Sequence, residues 1–318
     1  MTMNGGDVLE ADVIRALETL NARAIALRSS KEYAAGVRKG NVDRLLADKS
    51  PRGIRQARKE FKRYRAFTKA PRHAEQPNLT PEEWEASLRP GDPNKRVVIY
   101  TCVAGNYDAL LSPIYRADYI TYVLFSNNES LRGTEGWEFR PFPEEVTRLG
   151  ANTLASRYLK SHPHDLFAGD FDASVYVDGN VQPVSDLSYY VDLVDPQVGI
   201  TMHRHRVRDS IADEATACKA LGKGNAEAVD AEVARYVAEG FPLDYGLLET
   251  NIIATDLHSD TAHEVLAAWW DAMDQAKGGR DQISLPYVLW RCGIPLDAVA
   301  TMGRNPYQDT KIFISSHL

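Results

Sequence analysis

From residue 96 onward, short runs of β-branched and aromatic residues alternate with amphipathic helical stretches. "RVVIYTCV" and "YITYVLFS" are continuous apolar runs of strand length, lacking the in–out alternation of a sheet with one wet face. Strands of that kind must be covered on both sides. "WEFRPF" reads as a short third strand and "ASVYVDGNV" as a fourth, followed by "QVGITMH" and "LLETNIIAT". Helices are expected at "ANTLASRYLKSHPHDLF", ending near His162-Pro163, near Leu187 to Leu193, and in 210–221, 225–238, 260–276 and 281–292. This alternation dictates an α/β architecture, a mostly parallel, Rossmann-like sheet flanked by helices, with ligands at the carboxyl ends of strands.

The first ~90 residues contain helical signals only. Val13, Leu17, Leu20, Ala24 and Leu27 form one amphipathic stripe. A second helix starts at "SPRGIRQARKEFKRYRAF", with Ser50 as N-cap, Pro51 at the first helical position, and Ile54, Ala57, Phe61 and Tyr64 as its apolar stripe. A third, "TPEEWEASL", has a capping box of Thr80 and Glu83. "RPGDPNK" marks a boundary, dividing the chain into a helical extension, 1–94, and an α/β domain, 95–318. Charge divides along the same line. Residues 23–75 hold 16 Lys/Arg against 5 Asp/Glu, whereas the rest holds 21 against 39. A basic arm on an acidic body implies separate jobs, and a polyanion contact is expected through residues 52–72.

Several classes are excluded or disfavoured. Cys102, Cys218 and Cys292 are too far apart for a zinc spacing or a disulfide framework. The N-terminus has no basic-then-apolar leader, and no apolar run approaches the ~18 residues that span a bilayer, so cytoplasmic residence is the expectation. Neither GxGxxG nor GxxxxGK[ST] occurs after the first strand.

Polar clusters instead follow the strand ends. In "TCVAGNYD", Gly105 permits a turn, and Tyr107 and Asp108 are suited to a base or ribose. In "YVDGN", Asp178 and Asn180 offer two oxygens across a tight turn, enough for Mg²⁺ or Mn²⁺ when a diphosphate and water fill the remaining positions. An ordinary DG turn explains the same letters. "MHRHRVRDSIADEA" sets His203, Arg204, His205, Arg206 and Arg208 directly after a strand, either as phosphate or metal contacts or as solvated charges, with Glu214 a partner for one arginine. Glu249, Thr250 and Asn251 interrupt an apolar strand, where unpaired burial would cost ~1–3 kcal/mol each. Asp281 opens a helix after two glycines, as an N-cap or as a carboxylate presented to a pocket. Trp269 and Trp270 read as core.

Taken in order, "VVIYTCVAGNYD", "SRYLKSHPHDLF", "SVYVDGNV", "HRHRVRDSIADEA", "YVAEGFPLDYGLLETNIIATDLH", "WWDAM" and "RDQISLPYVLW" resemble a glycosyltransferase-like family long catalogued as a domain of unknown function, with plant members linked to cell-wall polysaccharide. The resemblance covers residues 96–293. That family is similar to GT-A glycosyltransferases of the glycogenin and bacterial galactosyltransferase kind, which implies a GT-A-like domain, a nucleotide-sugar donor (a UDP-sugar first) and a divalent metal. Carried over by position, "DGN" stands where such enzymes have D-x-D, with Asp178 and Asn180 on the metal and Gly179 and Asn180 beside the donor. Asn in place of the second Asp removes a charge. Tyr107 and Asp108 would lie by the nucleotide, and Arg157 and Lys160 by the donor phosphates or sugar. His203 and Arg206 would line the cleft, and Gln282 would face the sugar. Asp281 and Glu249 are the candidate catalytic carboxylates. The acceptor would be a glycan, a small molecule or a nucleic acid. A nucleotidyltransferase would share the sheet and the metal–diphosphate logic, but no Gly-rich, Lys-containing first loop is present. A non-catalytic polyanion-binding protein would need only the basic arm.

Overall fold

The computed structural model describes residues 5–276 and 280–315. Gly278 and Gly279, the two glycines before Arg280, lie outside them. Four helices lead the chain: α1 (Gly5–Arg28), α2 (Lys31–Ala47), α3 (Pro51–Phe67) and α4 (Pro81–Ser87). Next come β1 (Val97–Val103), β2 (Ile120–Ser126), β3 (Glu138–Pro141), α5 (Glu144–Arg148), α6 (Asn152–Ser161) and α7 (Pro163–Phe167). β4 (Ala173–Asp178), β5 (Val181–Pro183), β6 (Ile200–Arg204), α8 (Ile211–Leu221) and α9 (Ala226–Ala238) follow. β7 (Leu248–Asp256), α10 (Asp260–Gln275), α11 (Asp281–Arg291), α12 (Leu296–Val299) and β8 (Ile312–Ile314) complete the order. Leu187–Leu193, expected as a helix, is a run of 3-10 turns.

The main sheet has the order β3-β2-β1-β4-β7-β6. β1 runs parallel to both β2 and β4, and β2 parallel to β3. β7 runs antiparallel to β4 on one side and to β6 on the other. The sheet is thus α/β and mostly parallel, flanked by helices as the alternation demands. Successive β1 side chains go to opposite cores, Val98, Tyr100 and Cys102 to one and Val97, Ile99 and Val103 to the other. Burial on both faces is why the strand shows no polar alternation, and each such side chain contributes about 1.5–3 kcal/mol. Trp269 is fully buried in the first core, and Trp270 packs against it.

Two helical stripes are corrected. Along α1 the fully buried positions are Ile14 and Glu18, with Asn21 nearly so, whereas Val13, Leu20 and Leu27 are exposed. α1 is held by polar contacts with the C-terminal segment. Glu18 accepts from Lys311 Nζ at 2.6 Å, Thr310 Oγ1 at 2.6 Å and Ser185 Oγ at 2.9 Å, and Asn21 donates to the carbonyls of Thr310 and Ile312. In α3 only Gly53 and Ala57 are buried, while Ile54, Phe61 and Tyr64 face outward. The caps fall as expected: Ser50 accepts from Gly53 N, and Thr80 and Glu83 form the capping box. α2 has no apolar period that would announce it. Among the described residues no helix is long and apolar enough to cross a membrane.

Chain order places one crevice. Moving outward from β1, the sequence proceeds to β2 and β3 on one side and to β4 on the other, so the strand order reverses between β1 and β4. Loops leaving adjacent parallel strands in opposite directions must part there, opening a gap at their carboxyl ends.

Candidate active site

A cavity of about 1240 Å³ fills that gap. The segment leaving β1 contributes Asn106, Tyr107 and Asp108, β4 contributes Tyr176 and Asp178, and the turn after it Gly179 and Asn180. Gly179 is required by this approach, since a Cβ there would lie 2.9 Å from Asp108 Oδ2. β7 is antiparallel and presents its beginning rather than its end, so Glu249, Thr250 and Asn251 reach the same cavity.

α6 adds Arg157 and Lys160, three residues apart and on one face, while Leu159 anchors the helix in the core. Lys160 is buried. Its Nζ lies 3.1 Å from Asp178 Oδ1 and 3.2 Å from Asp281 Oδ2. Thr250 Oγ1 donates to the same Asp281 oxygen at 2.9 Å, and Arg280 lies 3.8 Å from the other. Burial opposes the Lys160 charge, but Asp178 and Asp281 outweigh it and hold its pKa above the usual lysine value. Burial also works against the Asp281 carboxylate, yet Lys160, Arg280 and Arg157 prevail and push its pKa well below the ordinary range. Asp178 shifts the other way, raised by burial and by Asp281 despite Lys160.

Asp281 is not an N-cap. Arg280 takes that position without a side-chain cap bond, and Asp281 is the first helical residue of α11, its carboxylate turned toward Lys160. Its backbone carbonyl accepts from the buried Trp269 indole at 3.1 Å, which ties this residue to the core. The neighbouring Gln282 donates to Glu249 Oε2 at 2.9 Å. Glu249 is buried, and burial raises its pKa in spite of Arg206, Arg208 and Gln282. Burial lifts the Cys102 thiol to about 12, so this cavity-lining sulfur stays protonated.

His203 and Arg206 do not line the cavity. The His203 side chain is fully buried and pairs with Asp309, Nε2 to Oδ2 2.8 Å, where Tyr190 also donates. Arg206 lies 4.1 Å over the ring of Tyr307, and it is Tyr307 that lines the cavity. The first is explained by its partners: although His203 is opposite Glu249 in register, its ring is taken up by Asp309 and packs against Tyr190. His205 lies 3.6 Å from Glu249 and from Glu214, with its pKa lowered to about 4 by burial, and Glu214 pairs with Arg208 at 2.6 Å.

Several contributors escaped the sequence. Tyr307 sits far downstream, and Asn152 and the 222–225 turn carry no motif. The turn's one legible signal was glycine. Gly222 closes α8 in the left-handed region, φ 67°.

As a metal site, Asp178 and Asn180 supply two oxygens. The Asn180 amide nitrogen is engaged with the Ser315 carbonyl at 2.8 Å, which leaves its oxygen as the acceptor. Among the described residues no group of three His, Cys, Asp or Glu could hold an ion by itself. The donor set therefore fits a divalent ion only when a bound phosphate completes its shell.

No family model matches the chain, and no curated protein matches it. Solved structures with similarity include mouse xyloside xylosyltransferase 1 in its apo form, at 10% identity, covering 69% of this chain and 97% of that one, TM-score 0.42. The apo bifunctional glycosyltransferase WbbM matches at 13% identity, covering 61% and 37%, TM-score 0.39. An active-site mutant of LgtC matches at 12% identity, covering 60% and 68%, TM-score 0.33.

Proposed function

We propose that the chain transfers a sugar from a nucleotide-diphosphate donor to an acceptor hydroxyl. What carries this assignment is the cavity at the β1/β4 strand-order reversal, floored by the Asp178–Lys160–Asp281 array. The ordered motifs that resemble glycosyltransferase-like proteins support it. Tyr107 and Asp108 would meet the nucleoside, and Arg157 and Lys160 the diphosphate, with charge-assisted contacts. Asp178 and Asn180 would hold a divalent ion, whose chemistry is to neutralise the charge of a departing diphosphate. The sugar and acceptor would lie between Glu249 and Asp281–Gln282.

The two candidate carboxylates divide by environment. Asp281 is held ionised by three cations and is a poor proton acceptor, so its role is to position Lys160. Glu249, raised by burial and held by Gln282, is the better base for an acceptor hydroxyl. Nucleotide release should be followed over a panel of nucleotide sugars with Mn²⁺ or Mg²⁺, beside calorimetric binding of the matching nucleoside diphosphates. Release from one donor, lost in Glu249→Gln with diphosphate affinity retained, is the expected result. Absence of both release and nucleotide binding across the panel would rule the assignment out.

A further inference from the structure

The outer face of α3 plays no part in the cavity. Arg52, Arg55, Arg58, Lys59, Lys62 and Arg65 are all exposed on it. Among the described residues the helix's ion pair is Arg63 with Glu60, at 3.2 Å, and it lies toward the inner side. Six cations with no anionic partner among the described residues, on one short helix, repel one another, an arrangement that an external anion relieves. Beside them Ile54, Phe61 and Tyr64 are 46%, 42% and 56% exposed. Ile54 and Phe61 are seven residues apart and so stand one above the other along an edge of the basic ridge.

We propose that α3 docks the protein on an anionic lipid bilayer. The cations fit a headgroup layer, and the Ile54–Phe61 edge fits the depth just below it, the pattern of a helix lying in an interface. Nucleic acid is the weaker match, because stacked bases use aromatic faces and leave the aliphatic Ile54 without a role. Outside residues 23–75 the chain is acidic and is repelled by the same surface, which leaves the basic arm, and the dense ridge of α3 within it, as the face that approaches. On its inner side the Arg63 guanidinium lies so close to Gly222 that a Cβ there would come within 2.7 Å of it, and Gly222 lines the cavity. The cavity rim is therefore about one helix diameter, ~10–12 Å, from the docked surface. Docking does not depend on which group the cavity transfers.

Full-length protein should be sedimented with vesicles of phosphatidylcholine alone and of an equal phosphatidylserine–phosphatidylcholine mixture, across a salt series. Binding to the mixed vesicles only, weakening as salt rises, is expected. Arg58→Gln/Lys62→Gln/Arg65→Gln should weaken it by about two orders of magnitude, each cation being worth about fivefold. Phe61→Ser should weaken it about tenfold, through the lost apolar contact. All substituted positions are exposed, and an unchanged circular dichroism spectrum checks folding. No binding to mixed vesicles at low salt overturns the proposal. So does a Phe61→Ser protein that binds them as the parent does, since the ridge would then be a polyanion site without membrane depth, the outcome also expected if a DNA duplex competes fully.

Discussion

Lys160 shows how much of the cavity rests on one side chain. It is a single ammonium between two carboxylates, and removing it leaves the buried Asp281 facing a half-buried Asp178 without a cation between them. Lys160→Met should cost about 3–5 kcal/mol, the range for breaking a buried pair. Thermal unfolding should show much of that loss returning in Lys160→Met/Asp281→Asn, because the second change removes the stranded charge. A double variant no more stable than the single one would mean that Lys160 acts by packing alone. Glu232 on α9 gives a pH-dependent test. Its burial pushes its pKa up to about 7, from 4.5, against the hydrogen bond from Tyr236 at 2.8 Å. A carboxyl with a raised folded pKa stabilises the fold most when both states are protonated, so that contribution is lost as pH rises through about 4.5 to 7. Relative to Glu232→Gln, the parent should lose about 3 kcal/mol over that window and no more above it. Urea unfolding of both proteins at either end of the window measures it, and a constant difference would refute it. Neither effect was legible in sequence: Lys160 and Asp281 are 121 positions apart, and nothing in "AEVARY" says that Glu232 is buried.

Among the elements, strands were legible and helix faces were not. β1 and β2 have cores on both sides, so their letters suffice to place them. α1 was misread because the helix turns Glu18 and Asn21 inward and leaves Leu20 and Leu27 outside. The partners that make this favourable, Thr310 to Ile312, are nearly 300 positions away, and no local pattern encodes them. The direction of β7 was equally hidden, since a strand reads alike whichever way it runs. The polar triplet Glu249–Asn251 did stand out in the letters, because polar groups in an apolar strand need a partner or a site, and all three line the cavity. The α1 clasp predicts a non-additive pair. Glu18→Ala leaves the buried Lys311 without its carboxylate, held only by the Ser87 carbonyl and the Tyr189 ring, and should cost about 3–5 kcal/mol, whereas Glu18→Ala/Lys311→Met should recover most of it. Additive losses in urea titrations would show that the two side chains do not act as a unit.

At the scale of the molecule, α1 belongs energetically to the body even though the rest of the helical extension and the "RPGDPNK" boundary separate it from the body in sequence. Cutting the chain after residue 28 should lower the melting temperature by several degrees, on the scale of a few kcal/mol, and not leave a body of parent stability. A truncated protein that melts with the parent would reverse this view. The position of β7 has a consequence for how the chain is made. β4 gains its second neighbour only when β7 arrives, about 70 residues later in synthesis. At about 5–20 residues per second, the nascent chain carries a bare, largely apolar strand edge for several seconds outside the ribosome. In that interval the emerging polypeptide is most open to chaperone capture and to pairing with a neighbour on the same message, and slower translation of 179–247 lengthens the exposure.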